Sequence, residues 1–253
     1  MARIFITGST DGLGLFNART LIGQGHDVVV HARTKERATA VDDLASAGVV
    51  IGDLASDSET RSVAEQVNAI GRMDAVIHNA GVYLSNSRIT TSEGHSRTLA
   101  VNVLAPYLLT ALIQKPDRLV YVTSGMHLGV RGDLADIDWT RRRWNASQAY
   151  SESKLYVATL ASAVARRFPD VLSNSVDPGW VPTKMGGAGA PDDLELGHDT
   201  QSWLAASSDP AALVTGQYWH HRRHQRPAPE VDDPSFQDQL IDTLAAITGT
   251  ALF

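Results

Sequence analysis

Short, almost unbroken apolar runs alternate with stretches of helical period along the first 180 or so residues. The runs are RIFIT (3–7), DVVVH (27–31), VVIGDL (49–54), DAVIHN (74–79), RLVYVTS (118–124) and VLSNSVDPG (171–179). Between them, helical spacing begins near Gly12 and near Thr34, runs through SETRSVAEQVNAI, covers about 94–113 and extends from Ser147 to Phe168. Alternation of this kind is the mark of βαβ units. Strands that are apolar on both faces belong to a parallel sheet covered on both sides. The pattern therefore predicts an α/β fold: a doubly wound, mostly parallel sheet of six to seven strands with helices on both faces. A last helix is expected over 234–249, ending in glycine. The Gly/Pro/acidic stretch 184–197 breaks both periods and reads as a mobile lid over a substrate or cofactor.

Length and composition narrow this further. A chain of 253 residues with 43% hydrophobic and 20% charged residues fits a single domain spanning 1–253. Lys+Arg 22 against Asp+Glu 28 gives −6, which disfavours a nucleic-acid surface and favours small-molecule partners. With no cysteine there is neither a disulfide framework nor a thiolate nucleophile, as suits a cytoplasmic protein. The strand-like run begins too early for a leader peptide. The most apolar stretch, Leu99 to Ile113, carries Asn102 and Pro106 and is too short for a membrane span. His220, His221 and His224 alternate with Arg222, Arg223 and Arg226, whose charge would repel a cation, so no metal is expected.

Candidate chemistry starts in the turn after the first strand. FITGSTDGLGLFNA places Gly8, Gly12 and Gly14 where a strand enters a helix, a position that brings a phosphate close to backbone amides at a positive helix end. The spacing Thr7-Gly8-x-x-x-Gly12-x-Gly14, followed in order by GDL with Asp53, HNAG (78–81), Asn102 in AVNVLAPY, VTSG with Ser124, YSESK and DPGWVPT (177–183), resembles the short-chain dehydrogenase/reductase family over nearly the whole chain. The resemblance implies a Rossmann fold that binds a nicotinamide dinucleotide. Gly8, Ser9, Thr10, Gly12, Leu13 and Gly14 would form its phosphate turn. Asp53 and Leu54 would hold the adenine, with Asn79, Ala80 and Gly81 on its far side. Pro178, Gly179, Val181 and Thr183 would contact the nicotinamide end.

The end of the second strand decides which dinucleotide binds. An acidic side chain there would hold a ribose 2′-hydroxyl, whereas a small residue followed by a cation suits a 2′-phosphate. Ala32 and Arg33, with Lys35 and Arg37 close behind, favour NADP(H), with NAD as the alternative. Asp11 departs from the pattern, since many NADP-preferring relatives carry a basic residue there.

Reducing a carbonyl leaves an alkoxide that needs a proton donor within reach. Tyr150 and Lys154 are four residues apart, on one face of a helix, and an ammonium beside a phenol favours its ionised form. The resemblance gives the roles: Tyr150 as acid/base, Lys154 lowering its pKa and bonding the nicotinamide ribose, Ser124 polarising the substrate oxygen, and Asn102 positioning a water that links Lys154 to solvent. Tyr156, six residues beyond Tyr150, points elsewhere and reads as packing.

The long insertion between Ser124 and Tyr150, with Trp139, Trp144 and Arg141 to Arg143, resembles the retinol-dehydrogenase-like and WW-domain-oxidoreductase-like branch, as does GQYWHHRRHQRPAP. Relatives there act on lipophilic alcohols, aldehydes and ketones. The arginine run reads as a solvated face; His127 either faces the pocket or covers the sheet edge; and 82–90 is expected to shape the pocket with the lid. Leu155, Val157, Leu160, Val164 and Phe168 offer apolar surface for a core and also for a homodimer or homotetramer. The leading function is an NADP(H)-dependent oxidoreductase interconverting a carbonyl compound and its alcohol. The alternatives are a non-catalytic dinucleotide sensor, and an epimerase or dehydratase that uses bound cofactor without net turnover.

Overall fold

The computed structural model describes residues 1–39, 41, 44, 47–83 and 85–252. Strand and helix alternate through β1 (Arg3–Ile6), α1 (Gly12–Gly23), β2 (Asp27–Ala32), α2 (Lys35–Thr39), β3 (Gly48–Ile51), α3 (Asp57–Ile70) and β4 (Ala75–His78). Then α4 (Arg97–Leu99) runs on through a π-helical turn (Ala100–Leu104) into α5 (Ala105–Leu112), followed by β5 (Arg118–Val122), α6 (Ala146–Arg167), β6 (Leu172–Asp177) and α7 (Leu194–Ala206). The chain closes with β7 (Tyr218–His220), β8 (Arg223–Gln225), α8 (Pro229–Asp232) and α9 (Pro234–Thr248).

The sheet order is β3-β2-β1-β4-β5-β6-β7-β8, and every pairing is parallel except β7 with β8. The predicted doubly wound sheet is therefore present, but among the described residues it has eight strands rather than six or seven. The extra pair is a hairpin turned by His221 and Arg222, both at positive φ (46° and 57°). Such a two-residue turn matches the sheet's twist. The side chains of β8 are exposed and polar, which blunts the open edge.

Within each apolar strand successive side chains go to opposite faces. Phe5, Val29, Val76, Leu119 and Tyr121 pack with α3, α5, α6 and α9. Ile4, Ile6, Val28, Val30, Ile77 and Val120 pack on the other face with α1 and α7. Among the described residues no helix is long and apolar enough to cross a membrane.

Two expectations need correction. Leu155, Val157, Leu160 and Val164 are enclosed by the chain itself, and Phe168 packs against the same core. The face expected to serve a partner is covered by α8 and α9, with Val231 on Leu155 and Ala158, and with the Tyr107 hydroxyl donating to the Thr250 carbonyl (2.7 Å). The stretch 184–197 is not loop throughout: α7 starts at Leu194, and its N-cap Asp193 accepts from the amides of Glu195 and Leu196.

Candidate active site

The strand order reverses between β1 and β4, and in open parallel sheets ligands bind at the carboxyl ends beside that point. Thr7 and Asn79 tie the two strand ends together there. The Thr7 hydroxyl oxygen accepts from the amides of Asn79 and Ala80 (both 2.9 Å), and Asn79 Nδ2 donates to the Thr7 carbonyl (2.9 Å). Gly8 turns the chain at φ 64° directly against Ala80, and a Cβ at Gly14 would lie 2.5 Å from the Gly8 carbonyl oxygen. Glycine is therefore required at both positions, and together they bring α1 tight under the turn with its N-terminus toward the cleft.

The cleft above this turn measures about 750 Å³. Of the sequence-predicted residues, Gly8, Thr10, Gly12, Leu13, Arg33, Asp53, Leu54, Asn79, Ala80 and Gly81 line one end and middle. Ser124, Tyr150, Lys154, Pro178, Gly179 and Val181 line the other end, while Thr183 lines the cleft beside Gly12. Ser9, Gly14 and Asn102 stand behind the wall. The Ser9 hydroxyl is buried, donating to the Ile6 carbonyl (2.8 Å) and accepting from the His31 amide (2.9 Å). Leu84, within the 82–90 segment, lies outside the described residues.

Four residues near the glycine turn went unpredicted or have surroundings the sequence did not reveal. His31 lines the cleft from the end of β2. Its Nδ1 accepts from the Gly8 amide (2.9 Å), and its Nε2 lies 2.9 Å from the Gly52 carbonyl, which fixes the proton on Nε2. Burial lowers the His31 pKa, in keeping with a neutral ring. Its only sequence signal is one polar residue inside an otherwise apolar strand. Arg37 reaches back to the turn, donating to Thr10 Oγ1 (3.4 Å) and pairing with Asp11 (3.3 Å), whereas Lys35 is exposed outside the cleft. Asp11 also caps α1 and pairs with Lys184 from the segment after β6. Its pKa falls, through the Lys184 contact first, so its charge is compensated.

At the opposite end Lys154 is buried, donates from Nζ to the Val122 carbonyl (2.8 Å) and lies 5.6 Å from the centre of the Tyr150 ring. Burial lowers its pKa to about 8 against the opposing field of Asp177. The Tyr150 phenol is pushed upward by burial, with Tyr83 and Asp177 acting in the same direction and a hydrogen bond with Ser124 opposing them. Tyr150 is thus held neutral, the form that donates a proton. The expected lowering by Lys154 does not outweigh burial in this arrangement.

Asn102 sits in the π-helical turn. Its Oδ1 accepts from the Val82 amide (2.8 Å), and its Nδ2 donates to the Val82 carbonyl (3.1 Å) and to Ser153 Oγ (2.9 Å). Backbone at Gly81 passes beside both Asn102 Oδ1 and Lys154 Nζ, each 3.5 Å from where a Cβ would stand.

The insertion corrects another expectation, because Arg142 is not a solvated residue. It forks onto the buried Glu152, two residues past Tyr150 on α6 (2.8 and 3.0 Å), reaches Asp136 (3.0 Å), and lies over the Trp139 ring at 3.9 Å. Only its neighbours Arg141 and Arg143 are exposed. Trp144 donates to the Ser85 carbonyl (2.8 Å), and Asp138 pairs with Arg88 and His95, fastening the insertion to the 82–96 segment. His127 does not face the cleft. It is buried, its Nδ1 lies 2.7 Å from the Ser124 carbonyl, and its Nε2 accepts from the Ala228 amide (3.3 Å). The Tyr156 hydroxyl accepts from the Asp133 amide (2.9 Å), a packing role as read from the sequence.

This arrangement agrees with comparison to known proteins. The short chain dehydrogenase family model matches residues 2–193. Over its full length the chain is 43% identical to the short-chain dehydrogenase chyC of Penicillium rubens, covering 99% of that protein. It is 34% identical to a Streptomyces protein described as a candidate daunorubicin C-13 ketoreductase, DnrU, with 97% of this chain and 92% of the relative covered. Human retinol dehydrogenase 13 is 26% identical, with 97% and 84% covered. A crystal structure of an uncharacterized protein from Mycobacterium paratuberculosis superposes with a TM-score of 0.87 at 25% identity, covering 100% of this chain and 95% of the other. The glycine turn at the strand reversal and the serine, tyrosine and lysine gathered at the far end of one cleft have their counterpart in this similarity: the chain belongs to the short-chain dehydrogenase/reductase family.

Proposed function

We propose that the protein is an NADP(H)-dependent oxidoreductase that interconverts a lipophilic ketone or aldehyde and its alcohol, with Tyr150 as the acid/base. The observation that carries this reading is the convergence of Ser124, Tyr150 and Lys154 at one end of a cleft whose other end holds the glycine turn and the Arg33 and Arg37 guanidiniums. The cleft's volume of about 750 Å³, its helix N-terminus and its basic far end fit a phosphorylated dinucleotide. Arg33 and Arg37 would take the 2′-phosphate, and Asp11 does not oppose it because Lys184 and Arg37 compensate its charge. Bound there, the dinucleotide supplies or accepts a hydride at the carbonyl carbon.

The protein's own part is proton transfer and positioning. Ser124 and Tyr150 both present hydroxyls to the substrate oxygen, and Tyr150, held protonated, donates as negative charge grows on it. Lys154, cationic below about pH 8, stabilises the phenolate left behind. Asn102 holds the backbone at Val82 and so keeps the Gly81 wall in place beside Lys154. The segment 184–193 serves as a strap over the cleft, latched by Lys184 on Asp11 and by the Trp180 indole on the Gly186 carbonyl (2.8 Å). All four catalytic positions are filled, which favours turnover over a sensing role. A candidate ketoreductase among the relatives points the same way.

The test is turnover by purified protein across ketones, aldehydes and alcohols with NADPH and NADH in parallel. Consumption of NADPH in preference to NADH is expected. Cofactor binding with no turnover on any carbonyl or alcohol would overturn the reading.

A further inference from the structure

The catalytic end of the cleft contains a carboxylate that carbonyl reduction does not itself require. Asp177 is the last residue of β6, and the Thr123 amide donates to the Val176 carbonyl (2.8 Å), holding this strand end beside Ser124. A Cβ at Gly125 would stand 2.9 Å from Asp177 Oδ2. The carboxylate therefore rests against bare backbone next to Ser124, where any larger residue would displace it. Oδ1 is engaged by the Gly179 amide (3.0 Å). Oδ2 has two long contacts, the Tyr218 hydroxyl at 3.4 Å and His220 Nδ1 at 3.6 Å. A carboxylate oxygen accepts more than one strong hydrogen bond, so Oδ2 retains acceptor capacity on the cleft side. The side chain is only 14% exposed, too little for bulk water to satisfy it freely.

Tyr83, Met126, Trp180 and Met185 line the same cleft. Tyr83 meets the Tyr150 ring edge-on at 4.6 Å, and Trp180 is 60% exposed. These side chains suit an aromatic or aliphatic body, while Asp177 offers an under-used acceptor beside the residues that would hold the carbonyl.

We propose that Asp177, flanked by His220 and Tyr218, selects carbonyl substrates bearing an O–H or N–H next to the reacting carbon, by accepting a hydrogen bond from that group. The assignment rests on the oxidoreductase reading and adds the substrate class to it. A substrate lacking the donor would bury the carboxylate without a partner, which is the situation that gives strong discrimination. The field of Asp177 also favours neutral Tyr150 and cationic Lys154, the pair of states that reduction uses.

The test compares α-hydroxyacetophenone with its methyl ether, using NADPH oxidation rates and calorimetric binding. Wild type should favour the hydroxyketone by roughly 10- to 100-fold in kcat/KM and in affinity. Asp177→Leu should bring both ratios close to one, Asp177→Asn should keep part of them through its amide oxygen, and Gly125→Ala, which leaves the carboxylate present but pushes it aside, should lower them too. A wild type with no preference, or a folded Asp177→Leu or Gly125→Ala protein with the wild-type ratio, overturns the proposal. If neither ketone is reduced, the affinity ratio still decides whether Asp177 takes the donor, and the oxidoreductase reading falls only if the wider panel of carbonyls and alcohols is not turned over either.

Discussion

Burial decides the protonation state of several side chains that the sequence leaves ambiguous. His78 stacks on Tyr121 at 4.6 Å in the core, with Nε2 3.2 Å from Thr110 Oγ1, and burial lowers its pKa from 6.5 to about 3. His31 and His127 shift in the same direction for the same reason. Each binds fewer protons in the folded chain than in the unfolded one below pH 6.5. For His78 the stability is therefore full above that pH and is lost as the pH falls toward about 3, by up to about 1.4 kcal/mol per pH unit, and His31 and His127 add losses in the same direction. Denaturant midpoints at pH 8, 6 and 5 should decline in that order, and a flat profile would contradict the burial argument. Lys154 gives the complementary expectation on the alkaline side: reduction should fall as pH rises through about 8, where the ammonium is lost. The residues of this scale that were legible in the sequence, Tyr150, Lys154 and Ser124, were so because they occur in register with a glycine turn. His31 belongs to no such spacing, and Asp177, although it opens DPGWVPT, carries no role in that motif; both emerge only when strand ends meet in space.

Between elements, the decisive contact is the fork of Arg142 on Glu152, which pins the insertion to the catalytic helix. Glu152 is almost fully buried and also accepts from the Trp139 indole (3.1 Å) and from Gln148 (3.0 Å). Removing one partner of such a pair leaves a buried charge uncompensated, at a cost of about 3–5 kcal/mol. Arg142→Ala should lower unfolding free energy by that order. Arg141→Ala and Arg143→Ala should each stay within about 0.5 kcal/mol of wild type. Equal effects at all three positions would show that the run is a solvated face after all. Three successive arginines look alike in sequence, and only the fold of the insertion distinguishes the middle one. The β7–β8 hairpin was hidden for a related reason. HHRRHQ has no apolar alternation, because an exposed edge strand has no second face to bury.

For the whole molecule, the sheet order and the two apolar layers follow from the continuous strands, which is why the architecture could be read in advance. What could not be read is how the C-terminal segments close over α5 and α6. The apolar side chains of α6 satisfy a heptad-like face equally well against a second copy or against α8 and α9, and here the chain's own helices occupy it. With that face covered, the protein should be a monomer of 27.2 kDa by light scattering at micromolar concentration. A stable dimer would require another interface.

The claim on which the rest depends is that the cleft carries hydride transfer with Tyr150 as proton donor. Its most direct measurement is transfer of the deuterium label from 4-deuterated NADPH to a reduced ketone, followed by NMR for wild type, Tyr150→Phe and Tyr156→Phe, with NADPH binding measured in parallel. Deuterium is expected on the carbinol carbon with wild type and with Tyr156→Phe. With Tyr150→Phe the rate should fall by roughly 10²–10⁴-fold at nearly unchanged cofactor affinity. Label absent from the carbinol carbon, or a Tyr150→Phe protein reducing the ketone at the wild-type rate, would contradict it.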